Sequence, residues 1–154
     1  MEELIRVAEE KGISVEDLII EAVSRLDPQE AVKLRLEAAK RYLAEAEDYL
    51  AKGDVAQASE KAYKAAEEVI KALAEKYNLM EHQQAVREGR WFAHMLFTVS
   101  TTLSSTLGPW VKEGWDSAYG LHVWGFHEGK LSIEVVKARL NDIKKLIEEA
   151  SKVL

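Results

Sequence analysis

The chain has 154 residues, 47% of them apolar, with 21 bases against 27 acids and no cysteine. That is enough for one domain with a sizeable core, and it excludes disulfides, thiol chemistry and cysteine zinc sites. The net charge of −6 is lopsided: residues 1–30 hold nine acids and three bases, and the remainder is balanced. No basic face of the kind that nonspecific nucleic-acid binding draws on is apparent.

Residues 2–11 predict a short helix ended by Gly12. Ser14 with Asp17 reads as a capping box for a second helix, whose Leu18, Ile19, Ala22, Val23 and Leu26 form one apolar stripe. Asp27-Pro28 restarts the chain: Asp27 caps and Pro28 suits the first helical position. The seam Val32, Leu36, Ala39, Leu43, Ala46 and Leu50 follows at offsets of four and three, a heptad pattern. Lys33, Arg35, Lys40 and Arg41 spread around this helix and read as solvated surface. Gly53 ends it, Asp54 with Gln57 begins the next, and the short turn makes the two an antiparallel hairpin. The second arm of the hairpin carries Tyr63, Ala66, Ile70, Leu73 and Tyr77.

Residues 78–90 read as a polar connection. A helix over about 91–107 comes next, although seven of the nine residues in TVSTTLSST (98–106) carry hydroxyls, poor helix chemistry that leaves a strand open. Gly108-Pro109 breaks the chain, 110–128 forms a further helix, and Ser132 caps a last one with the seam Ile133, Val136, Leu140, Ile143, Ile147, Ala150 and Leu154. The expected fold is all-α: an antiparallel bundle of about four long helices (28–154) carrying an N-terminal helical arm (1–27).

Two places hold chemistry. On a regular helix Trp115, Tyr119, His122 and Phe126 share one face, and His127 lies about 140° away from His122. A metal would then need unwinding at Gly125 or ligands from other helices, so no metal and no cofactor are expected. His122 reads as a neutral packing residue whose N–H finds a hydroxyl of 98–106 on a neighbouring helix. The other place is VREGRWFAHM (86–95). If its helix starts near Glu88, Arg90 and His94 share a face, and with Arg87 they could bind a phosphate and move a proton. Arg87 and His94 are the catalytic candidates; Arg87, Arg90 and His94 are the candidates for nucleotide or RNA binding. No phosphate loop, paired-carboxylate motif or nucleophile elbow is present.

The stretches LRLEAAKRYLAEAEDYLAKGDVAQASEKAYKAAEEVIKALAEKYNL (34–79) and LHVWGFHEGKLS (121–132) resemble the archaeal PaREP family, itself similar to the HEPN helical bundles. The resemblance spans nearly all of the chain after residue 12. It implies a bundle from a heat-adapted source, which fits the two Asn and four Gln in the chain. HEPN relatives include ribonuclease toxins, in which four to six residues separate an Arg from a following His, the pair facing its twin across a dimer. Only Arg87 with His94 has that spacing here. Glu88 follows the Arg, Gly89 interrupts the pair, and the pair opens a middle helix where the ribonuclease motif usually lies on a later one. The expected role is therefore a non-catalytic association module, a cytoplasmic homodimer with a possible protein partner and no membrane span. Its two Ala-rich hairpin faces and the four Trp of the later half supply the motive. The alternative is nucleotide or RNA binding, up to a metal-independent ribonuclease of toxin–antitoxin type.

Overall fold

The computed structural model describes residues 1–154. It is all helical: α1 (Glu2–Glu10), α2 (Val15–Leu26), α3 (Pro28–Ala51), α4 (Val55–Lys76), α5 (Met80–Glu88), α6 (Ala93–Leu107), α7 (Trp110–Gly120), a π-helical segment (Leu121–His127) and α8 (Ile133–Val153). The helix starts are the ones that local chemistry dictates. Ser14 accepts a hydrogen bond from the Asp17 amide at 3.2 Å, Asp27 from Glu30 at 3.2 Å, Asp54 from Gln57 at 3.1 Å and Ser132 from Val135 at 3.3 Å. Gly53, with φ +80°, turns α3 into α4.

α4 is the axis of the molecule and touches α3, α5, α6, α7, the π segment and α8. Ala39 and Ala46 of α3 and Ala58, Ala62, Ala65 and Ala66 of α4 are all buried. These small residues let the two backbones approach, so the Ala-rich faces of the hairpin are consumed inside the bundle and offer nothing to a partner. Leu96, Val99, Leu103, Trp115, Leu121 and the α8 seam Val136–Ala150 close the core around α4. No helix is long and apolar enough to cross a membrane.

Two elements depart from the sequence expectation, and the hydroxyl-rich helix before Gly108 forms as expected. Residues 80–88 of the supposed polar connection form α5, ended by Gly89 at φ +74°. The hydroxyl-rich segment is helical throughout, since most of its hydroxyls fold back on carbonyls of the preceding turn, as Thr101 does to Phe97 at 2.9 Å and Ser105 to Thr102 at 2.7 Å. Ser104 instead accepts the Lys112 amide at 2.9 Å, satisfying a free donor at the start of α7. Finally, the helix from 110 does not stay α-helical, and this change of winding shapes the site described next.

Candidate functional site

The Arg-His candidates do not converge. Gly89 ends the helix bearing Arg87, and the helix bearing His94 starts only at Ala93. Arg90 therefore lies in the turn between them and shares no helix face with His94. Arg87, Arg90 and His94 are exposed and make no side-chain hydrogen bond or salt bridge. What joins two of them is Phe92: the Arg90 guanidinium lies 4.4 Å from its ring centroid and the His94 ring stacks at 5.8 Å. The glycine in the sequence pattern was the signal against a common helix.

The arm docks through charge. α2 turns Asp17, Ile20 and Ser24 toward α3 and α4, and its apolar stripe away from them. Arg35, only 2% exposed, bridges Asp17 and Glu68 at 2.8 Å each, and Lys71 reaches Asp17 at 2.9 Å. Arg41 pairs with Glu16, Tyr42 donates to Glu16 at 2.9 Å, and Ser24 donates to Glu75. Arg35 is thus interior, against the expectation of a solvated basic cluster, while Lys33 and Lys40 are exposed. Burial pushes the Asp17 carboxyl up, but Lys71 and Arg35 outweigh it and hold the group below its usual range. Glu68, by contrast, ends above its usual range, its burial outweighing the same two cations. Two acids and two bases compensate one another here, so no charge is left over for a ligand.

Beside this network lies a cavity of about 500 Å³ between the arm and the bundle, lined in part by Tyr42, Lys64, Glu67, Lys71 and Trp91. Burial raises Glu67 to about 7, with Lys71 opposing and Glu68, Asp17 and Glu60 reinforcing. A second cavity of about 450 Å³ lies where α2 meets α5 and holds Glu21, Glu75 and His82. His82 is lowered, chiefly by burial. In the second cavity the Ser24 hydroxyl donates to Glu75, and Nε2 of His82 lies 3.9 Å from the same carboxylate.

The aromatic cluster forms as the spacing indicates, but with different polar partners. The Tyr63 ring stacks on His122 at 4.0 Å; Trp115 and Tyr119 flank Tyr63, Phe97 packs edge-on against both of them, and Phe126 stacks beyond His122 at 6.3 Å. No hydroxyl of 98–106 reaches His122. Its Nδ1 lies 2.8 Å from Oε2 of Glu60 on α4, and its Nε2 lies 3.1 Å from Nε2 of His127. The 140° separation expected for an α-helix is gone because Leu121–His127 winds as a π-helix, with the Glu128 amide donating five residues back to Val123 at 2.9 Å. Gly125 accompanies this winding: a Cβ there would stand 2.7 Å from Cβ of Ser59 and closer still to its Oγ, so the segment lies directly on α4.

On the outer side of the arm, Leu18, Ile19 and Leu26 are 48%, 56% and 90% exposed, and Ala22 between them is exposed too. Sequence periodicity found this stripe but not the side it faces, and its fifth member, Val23, is half-buried. The signal it missed was the acid excess of the arm, which complements Arg35, Arg41 and Lys71 of the bundle.

A search of curated proteins finds no match. Among solved structures, the chain is similar to a crystal structure of a Sulfolobus solfataricus protein, with 44% identity, 75% of this chain and 94% of that one covered, and a TM-score of 0.69. It is similar as well to the solution structure of the Orf c02003 protein, at 44% identity, 75% and 89% coverage and a TM-score of 0.65. Residues 34–147, from Leu34 of α3 to Ile147 of α8, match the Archaeal PaREP1/PaREP8 family, and the chain belongs to that family.

Proposed function

We propose that this protein acts by association, without catalysis, and that the outward face of its arm joins two copies into a homodimer. One observation carries the reading: α2 buries its charged side and exposes its apolar one. Leaving Leu18, Ile19, Ala22 and Leu26 in water forgoes the burial that ordinarily decides which way a helix faces. The stripe itself contains no acid, because Glu16 and Asp17 point inward to Arg41 and Arg35. Like charges therefore do not oppose pairing of one stripe with a second copy of itself, the self-complementary arrangement of a twofold dimer. The HEPN-type alternative of RNA or nucleotide binding lacks comparable support, since Arg87 and His94 sit on separate helices and the chain as a whole is acidic.

Sedimentation velocity at tens of micromolar tests the reading. The expected result is a dimer that Ile19→Glu with Leu26→Glu converts to monomer, with helical content kept because both residues face outward in each chain, and with a melting temperature that no longer depends on protein concentration. A wild-type chain that sediments as a monomer at that concentration overturns it.

A further inference from the structure

The π segment brings two imidazoles into a relation that neither packing nor association requires. We propose that His122 and His127 form a chelating site for a borderline divalent transition-metal ion of the Zn²⁺, Ni²⁺ or Cu²⁺ class, with Glu60 as the carboxylate that orients His122.

The two Nε2 atoms lie 3.1 Å apart. An ion about 2.05 Å from each nitrogen would then see them at an angle of about 98°, between the square and tetrahedral values that such ions adopt. Glu60 fixes which nitrogen is free. Its Oε2, 2.8 Å from Nδ1 of His122, accepts the N–H there and leaves the Nε2 lone pair pointing at His127. A carboxylate on the far nitrogen of a ligating histidine is the usual support of a metal-bound imidazole and raises its basicity. The ring is also held from the side, stacked on Tyr63 at 4.0 Å. His122 is thus fixed by α4 on two sides, while exposed His127 closes the pair from the end of the π segment.

Residues five apart meet only on this winding. On an α-helix, a chelating pair from one helix sits four apart. The π segment therefore does for His122 and His127 what unwinding at Gly125 was required to do, and the rigid contact of Gly125 with Ser59 of α4 maintains it. No third His, Asp or Glu joins the two. The remaining coordination positions face solvent on the His127 side, which makes the site an open one, completed by water or an external ligand.

Zn²⁺ titrated into the intact protein by calorimetry tests this. The expected result is one equivalent bound, with affinity lowered at least tenfold by His127→Ala and by His122→Ala. Glu60→Ala, which removes the orienting acceptor, should cost roughly 10–100-fold, and Glu60→Gln, which keeps an acceptor oxygen, should cost less. His94→Ala, away from the pair, should change nothing. Circular dichroism confirms that each variant is folded, and a Zn²⁺-dependent rise in melting temperature that is absent in His127→Ala gives a second readout. If the wild-type chain takes up no Zn²⁺ at 100-micromolar order, or binds it equally well without His127, the pair is an imidazole–imidazole hydrogen bond only and the proposal fails.

Discussion

Glu67 shows how one side chain can tie stability to pH. In the unfolded chain its carboxyl titrates near 4.5, and in the folded chain burial lifts it to about 7. Between those values the folded state holds a proton that the unfolded state has released. Stability therefore falls as pH rises through that interval, and the full penalty of the buried carboxylate is present above it. Asp17 has the opposite sign but acts elsewhere: its folded value is depressed below 3.8, so its contribution is lost only in acid. Glu67→Gln should raise stability at pH 8 by on the order of 1–2 kcal/mol and leave it nearly unchanged at pH 5. The figure stays below the full shift because the side chain still reaches the cavity. Urea midpoints of the two proteins at both pH values check this, and a variant no more stable than wild type at pH 8 would show Glu67 to be fully hydrated. None of this was visible in the sequence, where Glu67 is one of many acids on a helix. Its surroundings come from Lys71 and Glu68 on its own helix and from Asp17, which lies 50 residues away.

At the scale of elements, what could be read was what local rules govern. Ser14, Asp27, Asp54 and Ser132 cap the helices that follow them, and the α3 and α8 seams face the core. What could not be read depends on contacts between elements. Periodicity finds an apolar stripe but not the side it faces, and in α2 the stronger demand comes from Arg35 and Lys71, which must meet carboxylates once buried. The π winding is likewise invisible in its own residues, because it rests on a close approach between Gly125 and Ser59. Gly125→Ala should therefore cost on the order of 2–3 kcal/mol, as a Cβ forced into a packed contact does. Ser59→Gly alone should cost about 1 kcal/mol for a glycine within a helix. Combined, the two should recover much of the loss, giving a coupling of at least about 1 kcal/mol in a double-mutant cycle of denaturation free energies. Simple additivity would mean that the π segment is set by its own sequence and not by α4.

The whole molecule divides into an arm and a bundle that differ in what holds them. No residue before Ala39 contributes to the main core cluster, and Ile20 is the one fully buried apolar residue of the arm. The arm is held otherwise by Asp17 with Arg35 and Lys71, Glu16 with Arg41, and Ser24 with Glu75. Its charge of −5, from eight acids and three bases in residues 1–27, thus finds part of its complement within the same chain. Removing one partner from a buried ionic network ordinarily costs about 3–5 kcal/mol, because the remaining charges stay desolvated. Here that cost has a ceiling. If Asp17→Ala leaves Arg35 and Lys71 short of a carboxylate, the arm can lift off and return both cations to water, where Glu68 still accompanies them. The penalty then cannot exceed the free energy with which the arm docks. Burying Ile20 contributes about 1.5–3 kcal/mol of that docking energy, half-buried Val15 and Val23 add to it, and the ion pairs roughly offset their own desolvation. Asp17→Ala in the full chain and a chain of residues 28–154 should consequently unfold at nearly the same denaturant midpoint, each with one cooperative transition. Amide exchange should show α1 and α2 unprotected in Asp17→Ala while α4 keeps its protection. Because the proposed dimer contact lies on the arm, the same substitution should weaken dimerisation although Asp17 faces away from that surface. A full-length Asp17→Ala protein that unfolds well before the 28–154 chain would mean that the arm cannot detach, and that arm and bundle fold as one unit.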